Sequence, residues 1–134
     1  MNMRRRVGLT GAALAALAVP FLAPSTASAA PGWQHIGTSG FAYWNSGIYV
    51  SEPVESGGGS FQACVFSDAG SKWYQLYEYD PSNADDPIGG KRYQVEGGCE
   101  TWDGIDAYVD GDNNKAELFL RTDDGRAYKV DYYD

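Results

Sequence analysis

The sequence predicts an all-β protein, either a small antiparallel β-sandwich or a partly open β-barrel, with one disulfide. Three observations support this fold class. No segment after residue 30 places apolar residues at i, i+3, i+4 and i+7 over three turns, as an amphipathic helix requires. Short runs rich in Val, Ile, Tyr, Phe and Trp recur about every eight to twelve residues between clusters of Gly, Asp, Asn and Ser. Two cysteines are available for one covalent link.

Residues 1–29 are predicted to be a secretory signal peptide and not part of the fold. Three arginines at 4–6 precede an apolar run at 7–22, and Ala-Ser-Ala at 27–29 supplies the small residues of a cleavage site. Glycine, threonine and proline interrupt the run, which falls short of the about 20 apolar residues that a membrane-spanning helix needs. We therefore expect a secreted, extracellular protein without a membrane span. Cleavage would leave seven basic and 18 acidic residues, a net charge of −11.

Charge and composition exclude several classes of function. Nucleic acids and anionic lipids bind basic surfaces, whereas the net charge of this chain is −8 even before cleavage. With 43% hydrophobic and 21% charged residues, the chain is expected to fold rather than stay disordered. Its 134 residues leave no room for a two-domain enzyme.

The two cysteines are predicted to form a structural disulfide between Cys64 and Cys99. A bridge that encloses about 35 residues stabilises a fold by about 4 kcal/mol through chain entropy. A reactive thiol or half of a zinc site would need a CxxC-type spacing or histidine ligands, and the sequence has neither. Residues 61–134 are therefore predicted to be a disulfide-bridged β domain.

Clusters typical of turns separate the predicted strands. The strands are predicted at 48–51, 61–67, 73–79, 92–96, 100–102, 107–109, 116–121 and 127–132. Asp-Ala-Gly-Ser at 68–71 and Asp-Asp-Gly at 123–125 are expected to be hairpin loops, because Asp and Gly tolerate positive φ. The last two strands should then pair with each other. Residues 81–90 contain two prolines and are expected to form an exposed loop.

The alternation of residues along these strands predicts the core. Ala63 and Val65 belong to one inward row, so Cys64 should lie on the surface or at the edge of a sheet. Six alternate residues of the last two strands are predicted to form the rest of the core: Ala116, Leu118, Leu120, Tyr128, Val130 and Tyr132.

Residues 30–60 are rich in Gly, Ser and Pro and contain no Lys or Arg. Two interpretations are open. Residues 41–44 and 48–51 form a hairpin across Asn-Ser-Gly that packs on the main sheet, or the segment is an arm that contacts a partner. In the second case the Ser-Gly-Gly-Gly-Ser sequence at 56–60 is a flexible joint. Five large aromatic residues would provide the contact with the partner: Trp33, Phe41, Tyr43, Trp44 and Tyr49.

No catalytic motif is present. Nucleophilic catalysis by Ser or Cys needs a base, and the single histidine, His35, lies in the N-terminal segment far from any such arrangement. Glycoside hydrolysis needs two carboxylates about 5 to 10 Å apart, a condition that some pair among 18 acidic residues meets by chance. Glu78 and Glu100, which have aromatic neighbours, are the best candidates for a proton donor in an apolar pocket. We expect no enzyme activity and no cofactor.

Residues 110–114 resemble the start of a calcium-binding loop, with oxygen ligands at alternate positions. The pattern then departs, because Lys115 stands where the turn needs Gly and Arg121 stands where a bidentate Glu is needed. We expect a plain turn and no metal. A weak calcium site that shares Asp103 or Asp106 is the alternative.

One predicted strand carries a candidate carbohydrate site. Sugar rings stack on flat rows of aromatic rings, with an amide to bind their hydroxyls. The row could instead face inward as half of the core, with Tyr74 and Glu78 outside, and we favour this arrangement. The row consists of four alternate residues: Trp73, Gln75, Tyr77 and Tyr79.

The sequence thus predicts a secreted, non-catalytic protein-binding module, either an inhibitor or an adaptor subunit of an extracellular assembly such as a toxin complex. Large aromatic residues concentrate at binding hot spots, and the charge of −11 would speed the encounter with a basic protein. An extracellular carbohydrate- or cell-wall-binding module is the alternative.

We expect the secreted protein to begin at or near Ala30 and to contain no free thiol, because of the cleavage site and the two cysteines. The intact mass of the protein from culture supernatant, with and without reduction, checks both points. A mass that retains residues 4–6, or alkylation of Cys64 in the folded, non-reduced protein, would contradict this expectation.

Overall fold

The computed structural model describes residues 32–134, which form ten β-strands and one short 3₁₀ helix. The predicted signal peptide, residues 1–29, lies outside the described part of the chain. Among residues 32–134, no helix has the length and the apolar character that crossing a membrane requires. The strands are β1 (His35–Ser39), β2 (Phe41–Asn45), β3 (Ile48–Ser51), β4 (Val54–Ser56), β5 (Phe61–Ser67), β6 (Lys72–Glu78), β7 (Asp86–Gln94), β8 (Gly98–Trp102), β9 (Ala116–Thr122) and β10 (Ala127–Tyr133), and the 3₁₀ helix spans Ile105–Tyr108.

The strands form two antiparallel sheets that pack face to face. Sheet 1 has the strand order β1-β10-β5-β8. Sheet 2 has the order β2-β3-β9-β6-β7, and β4 also pairs with β9. The predicted fold class is confirmed as an all-β, sandwich-like fold with one disulfide.

Side chains from the inner faces of both sheets form the core. Ala63 and Val65 of β5 are buried as predicted, beside Phe61. Trp102 and Ile105 close one side of the same cluster. Five of the six core residues predicted on the last two strands are also fully buried: Ala116, Leu118, Leu120, Val130 and Tyr132.

The prediction that Tyr128 lies in the core is wrong, because this residue is 52% exposed. Ala127 pairs with Ser67 and Lys129 pairs with Phe66, so Tyr128 is an extra residue at an irregularity in the pairing of β10 with β5. Such a β-bulge shifts the alternation of side chains. Tyr128 therefore lies on the outer face, where its ring is close to that of Phe66.

Both predicted hairpin loops instead connect one sheet to the other. Strands β5 and β10 pair in sheet 1, whereas β6 and β9 pair in sheet 2, so the last two strands do not pair with each other. The prediction rested on positive φ at Asp and Gly. Among the described residues, the positive-φ positions include neither 68–71 nor 123–125. The core rows of β9 and β10 therefore face each other across the sandwich.

The buried carboxylate of Asp124 connects the two crossings between the sheets, that is, the loop from β5 to β6 and the loop from β9 to β10. Asp124 is 1% exposed, and its Oδ2 accepts hydrogen bonds from Ser67 Oγ at 2.5 Å and from the Tyr74 hydroxyl at 2.6 Å. Its Oδ1 accepts the backbone N–H of Arg126 at 3.0 Å, and its own N–H donates to Thr122 Oγ1. Burial alone would raise the pKa of Asp124, but these hydrogen bonds outweigh it and hold the pKa below its usual value.

The N-terminal segment belongs to the two sheets, as the hairpin interpretation predicts. Strand β1 pairs with β10, and β2 pairs with β3, which in turn pairs with β9. The hairpin turns at Ser46 and Gly47, which both have positive φ, as two-residue hairpin turns require. A loosely tethered arm is therefore not what the structure contains.

The glycine sequence at 57–59 is not a flexible joint. The N–H of Gly57 donates to Asp134 Oδ2, and the N–H of Gly59 donates to Asp106 Oδ1 at 3.0 Å. The Gly59 carbonyl accepts the N–H of Ile105 at 3.0 Å. At Gly58, which has a φ of 105°, a Cβ atom would collide with the Asp106 carboxylate. Glycine is favoured here mainly because other residues are strained at this positive φ.

Two further local predictions are wrong. Residues 107–109, predicted as a strand, belong mainly to the 3₁₀ helix, which begins after Gly104 with a φ of 75°. Three residues are too few for alternation to distinguish a strand from a helical turn. Part of the predicted loop at 81–90 belongs to β7, where Pro87 pairs with Tyr77. Proline is tolerated there because β7 is an edge strand of sheet 2.

The predicted disulfide is confirmed, but the expectation that Cys64 lies on the surface or at the edge of a sheet is wrong, because Cys64 is 7% exposed on the inner strand β5. Cys64 and Cys99 lie directly opposite each other on β5 and β8, and the bridge joins them. The bond therefore ties the edge strand of sheet 1 to its neighbour and does not link the two sheets. Among residues 32–134 no cysteine is free.

We expect Asp124→Ala to lower the free energy of unfolding by about 2–4 kcal/mol at pH 7, because it leaves the buried Ser67 and Tyr74 hydroxyls without their acceptor. Urea unfolding measures this loss. The exposed neighbour Asp123 provides the matched control, since Asp123→Asn removes the same charge and should change stability by less than about 0.5 kcal/mol.

The contribution of Asp124 should also depend on pH. Because its pKa in the folded state is below its usual value, the stability that it confers is fully present above the unfolded pKa of about 4. This stability is lost as the pH falls through the folded pKa. The difference in unfolding free energy between the wild type and Asp124→Asn should therefore shrink as the pH is lowered below about 4. A difference that stays constant from pH 7 to pH 3 would contradict the role of the carboxylate.

Candidate functional site

The predicted aromatic row on β6 faces outward, so the favoured prediction that it lies in the core is wrong. The alternate residues Tyr74, Leu76 and Glu78 are at most 5% exposed; Tyr74 and Leu76 belong to the core, and Glu78 lies at the end of the strand. Trp73, Gln75 and Tyr77 are only half-buried, and Tyr79 is 43% exposed, on the outer side of sheet 2. The prediction assigned the larger rings to the core, but the Tyr74 hydroxyl finds a buried partner in Asp124, which turns that row inward.

The guanidinium of Arg121 organises this outer face. It lies 4.0 Å from the ring centroid of Tyr77, 4.7 Å from that of Trp44 and 5.3 Å from that of Phe119. The rings of Tyr77 and Phe119 stack with centroids 5.8 Å apart. Asp85 pairs with the guanidinium at 2.5 Å. We call Trp44, Tyr77, Phe119 and Arg121 the arginine stack; its strands β2, β6 and β9 are brought together by the pairing order of sheet 2.

A shallow cavity of about 220 Å³ opens beside the arginine stack. Its wall contains two exposed rings, Trp44 at 52% and Tyr79 at 43%, together with Pro53 and Val50. Asp85 and Arg121 provide an ion pair whose side chains are about one-fifth exposed. The cavity thus combines apolar rings with one compensated charge pair, which suits contact with another macromolecule.

The other predicted binding residues are dispersed. Trp33 is 45% exposed near β1, and Tyr43 is 63% exposed on the hairpin, where its ring edge contacts Tyr49. Phe41 packs against the core. The structure therefore places only Trp44, of the five aromatic residues in the N-terminal segment, at the arginine stack.

Two residues of the predicted carbohydrate row have a cation over one ring face. Lys91 Nζ lies 4.0 Å from the Trp73 ring centroid, and Arg121 covers Tyr77 in the same way. The Gln75 amide donates to the Gly89 carbonyl at 3.1 Å. One face of each of these two rings and the Gln75 amide already make contacts within the chain. They are therefore less available for stacking on a sugar and for binding its hydroxyls.

Sequence reasoning missed Phe119, Arg121 and Asp85 as parts of a site. On β9 the residues Leu118 and Leu120 face inward, so Glu117, Phe119 and Arg121 face outward. The sequence did offer one signal for this site, because alternation places the large apolar side chain of Phe119 on the outer face of β9. Asp85 had no comparable signal, because its contact with Arg121 spans 36 residues and depends on the fold.

A second cavity, of about 530 Å³, lies at the end of β6 and is acidic. Glu78 lines it and is 5% exposed, and oxygens of Glu78, Asp110 and Glu117 lie within 4.8 Å of one another. Burial, and next the negative charge of Asp110, raise the pKa of Glu78 to about 7. In the part of the chain that the structure describes, these three side chains are the group placed to hold a metal ion.

Several acidic residues singled out in the sequence are not part of this cavity. Asp103 accepts a hydrogen bond from Ser60 Oγ, and Asp106 accepts one from the Gly59 N–H. Neither residue lines the acidic cavity or belongs to the group of Glu78, Asp110 and Glu117. Glu100 pairs with Arg92 at 3.4 Å and does not lie in an apolar pocket.

His35 also lies apart from both cavities. Its Nε2 is 2.9 Å from Thr38 Oγ1, and it lies 4.0 Å from Asp131 at the edge of sheet 1. The Thr38 hydroxyl donates to Asp131 Oδ1 at 2.7 Å. The hydroxyl therefore lies between the histidine and the carboxylate, whereas a catalytic triad places the histidine between the other two groups.

We expect Arg121→Ala to lower the free energy of unfolding by about 1–2 kcal/mol, because it removes the cation from three rings and the partner from Asp85. Urea unfolding at pH 7 measures the loss. Arg126→Ala is the matched control, since Arg126 is exposed and its removal should change stability by less than about 0.5 kcal/mol. Equal losses in both variants would contradict a structural role of the stack.

Comparison with known proteins identifies the family. Residues 35–132 match the family described as "YndA coiled coil domain". The chain is 35% identical over 127 residues to a bacterial relative, the uncharacterized protein YndA of Bacillus subtilis strain 168, and the match covers 90% of this chain and 93% of the relative. Residues 32–134 contain strands and a 3₁₀ helix but no α-helix, so the described part of this chain is not a coiled coil. On these matches, the chain belongs to the YndA family.

Proposed function

We propose that this chain is a secreted, non-catalytic protein-binding module, an inhibitor or an adaptor subunit of an extracellular assembly, and that it binds its partner through the cavity beside the arginine stack. The observation that carries the proposal is the exposure of Trp44 and Tyr79 next to Arg121, whose side chain is about one-fifth exposed. Trp, Tyr and Arg are the residues that dominate binding hot spots. The signal-peptide sequence and the disulfide support export, since structural disulfides persist in oxidising compartments.

The charges favour a basic partner. Without residues 1–29 the chain has a net charge of −11, which accelerates encounter with a positively charged surface. The Asp85–Arg121 pair is already compensated, so covering it costs less desolvation energy than covering an isolated charge would.

Carbohydrate or cell-wall binding is the second candidate function. The outward orientation of Trp73, Gln75, Tyr77 and Tyr79 favours it. The cations over Trp73 and Tyr77, however, occupy ring faces on which a sugar would stack. Protein binding remains the stronger proposal for this reason.

We expect Trp44→Ala and Tyr79→Ala to weaken partner binding about 30-fold each while leaving the fold intact, because each removes an exposed ring from the cavity wall. The tagged mature protein is used to capture proteins from culture supernatant of the producing organism, and captured proteins are identified by mass spectrometry. The affinity of each variant for the identified partner is then measured.

Two exposed tyrosines on other surfaces provide matched controls. Tyr93→Ala and Tyr128→Ala remove rings of 66% and 52% exposure that do not line the cavity, and both variants should retain the partner. Loss of binding in the controls as well would contradict the assignment of the surface. Retention on insoluble cell-wall polysaccharide, abolished by Trp73→Ala, would instead favour the carbohydrate function.

A further inference from the structure

The acidic cavity is strongly and uniformly negative. It lies where β6 ends and β9 begins, beside the turn 111–114. No lysine, arginine or histidine lines it among the described residues. Five carboxylates line it: Glu78, Asp80, Asp110, Asp112 and Glu117.

Glu78 is the unusual member of this group. It is 5% exposed and faces the cavity, yet within residues 32–134 its carboxylate has neither a hydrogen-bond donor nor a cationic partner. Its neighbours across the sheet are Leu118 and Asp86, which supply no donor. Glu78 is therefore a largely buried carboxylate that lines the cavity and lacks a partner in the described chain, and a cation in the cavity would supply one.

We propose that Glu78, Asp110 and Glu117 bind one Ca²⁺ ion. Calcium–oxygen distances are about 2.4 Å, so two ligand oxygens on one ion are at most about 4.8 Å apart. The oxygens of these three carboxylates meet this limit for every pair. A set of carboxylates without histidine or cysteine selects a hard cation, and the ion would supply the partner that Glu78 lacks.

The chain holds each ligand in a different way. Glu78 lies on the regular strand β6, and Glu117 lies on β9, where it accepts a hydrogen bond from Asn113 Nδ2 at 2.7 Å. The Asp110 backbone pairs with that of Lys115. Two ligands are therefore fixed by strands and one by a turn, which suits the variable coordination of calcium better than the strict octahedron of magnesium.

This arrangement differs from the loop that the sequence resembles. In a calcium loop of that kind all ligands come from one continuous segment, so Lys115 and Arg121 would prevent binding. Here β6 and β9 supply two of the three ligands, and neither Lys115 nor Arg121 occupies a ligand position. Asp80 is not needed either, because its carboxylate accepts hydrogen bonds from Ser82 and Asn83.

Calorimetric titration of the chelator-treated mature protein with CaCl₂ tests the proposal. We expect one ion per chain, with a dissociation constant of about 0.1–1 mM, as is typical of extracellular calcium modules. The melting temperature should rise with CaCl₂ and saturate, whereas NaCl of equal ionic strength should not reproduce the rise. Terbium luminescence sensitised by Tyr79, which lines the cavity, should appear with Tb³⁺ and be displaced by Ca²⁺.

Charge-neutral variants locate the ion. Glu78→Gln should bind Ca²⁺ about tenfold more weakly or worse, and in EDTA it should melt above the wild type because one of three like charges is gone. Glu117→Gln provides a second variant, since Glu117 is half-buried at the cavity and its substitution disturbs the core less. Glu100→Gln, which removes the same charge on sheet 1, is the control and should bind like the wild type.

Two results would overturn the proposal. The first is a wild-type protein that shows no binding heat and no melting shift beyond that of NaCl. The second is calcium affinity that Glu78→Gln and Glu117→Gln leave equal to that of Glu100→Gln, because the ion would then be held by scattered surface carboxylates.

Discussion

The hydrogen bonds to the buried Asp124 carboxylate are the interaction on which the arrangement of the two sheets depends. Ser67 ends β5 and Tyr74 lies in β6, so their bonds to Asp124 hold the first crossing between sheets. Asp124 itself lies in the second crossing, between β9 and β10. Three hydrogen bonds stabilise the carboxylate, as charge-assisted bonds can do in the interior of a protein, and the charge of Lys72 adds to their effect. A hairpin with this aspartate in solvent would lose all three.

The same bonds determine which residues of β6 form the candidate surfaces. Because the Tyr74 hydroxyl reaches Asp124, Tyr74 must point inward, and the period of two then turns Leu76 and Glu78 inward as well. The Thr122 hydroxyl donates to the Trp73 carbonyl at 2.6 Å and fixes the start of the strand. Tyr77 consequently lies on the outer face with Arg121, and Glu78 lies in the acidic cavity. The inward orientation of Tyr74 near the start of β6 thus determines that, near its end, Tyr77 lies on the outer face and Glu78 in the acidic cavity.

The sequence was sufficient for features that depend on neighbouring residues. It predicted β3 at 48–51 and β5 at 61–67 with their observed bounds, the hairpin that precedes β4, and the bridge between the two cysteines. It failed where a distant partner decides the outcome. Both faces of β6 carry large apolar or aromatic residues, and alternation could not reveal the contact between Tyr74 and Asp124, 50 residues away, which favours the observed face. The bulge at Tyr128 likewise depends on the register with β5. Of the candidate sites, Trp44 and Tyr79 were predicted, whereas Arg121 and the grouping of Glu78 with Glu117 required the pairing order of sheet 2.

The two cavities meet at Tyr79, which lines both of them, and they differ in charge. The N–H of Tyr79 donates to the Glu117 carbonyl at 2.8 Å, so the backbone at the junction is held by β9. On one side Arg121 is neutralised by Asp85, which leaves an apolar surface with little local charge. On the other side the carboxylates of the acidic cavity create a negative field that is not compensated by any basic residue lining it in the described chain. A partner protein that covered the cavity beside the arginine stack would place the edge of its own contact surface in that field. The field would favour a rim rich in lysine or arginine and disfavour an acidic one, and an ion bound at Glu78 would weaken this preference without touching the aromatic contact itself.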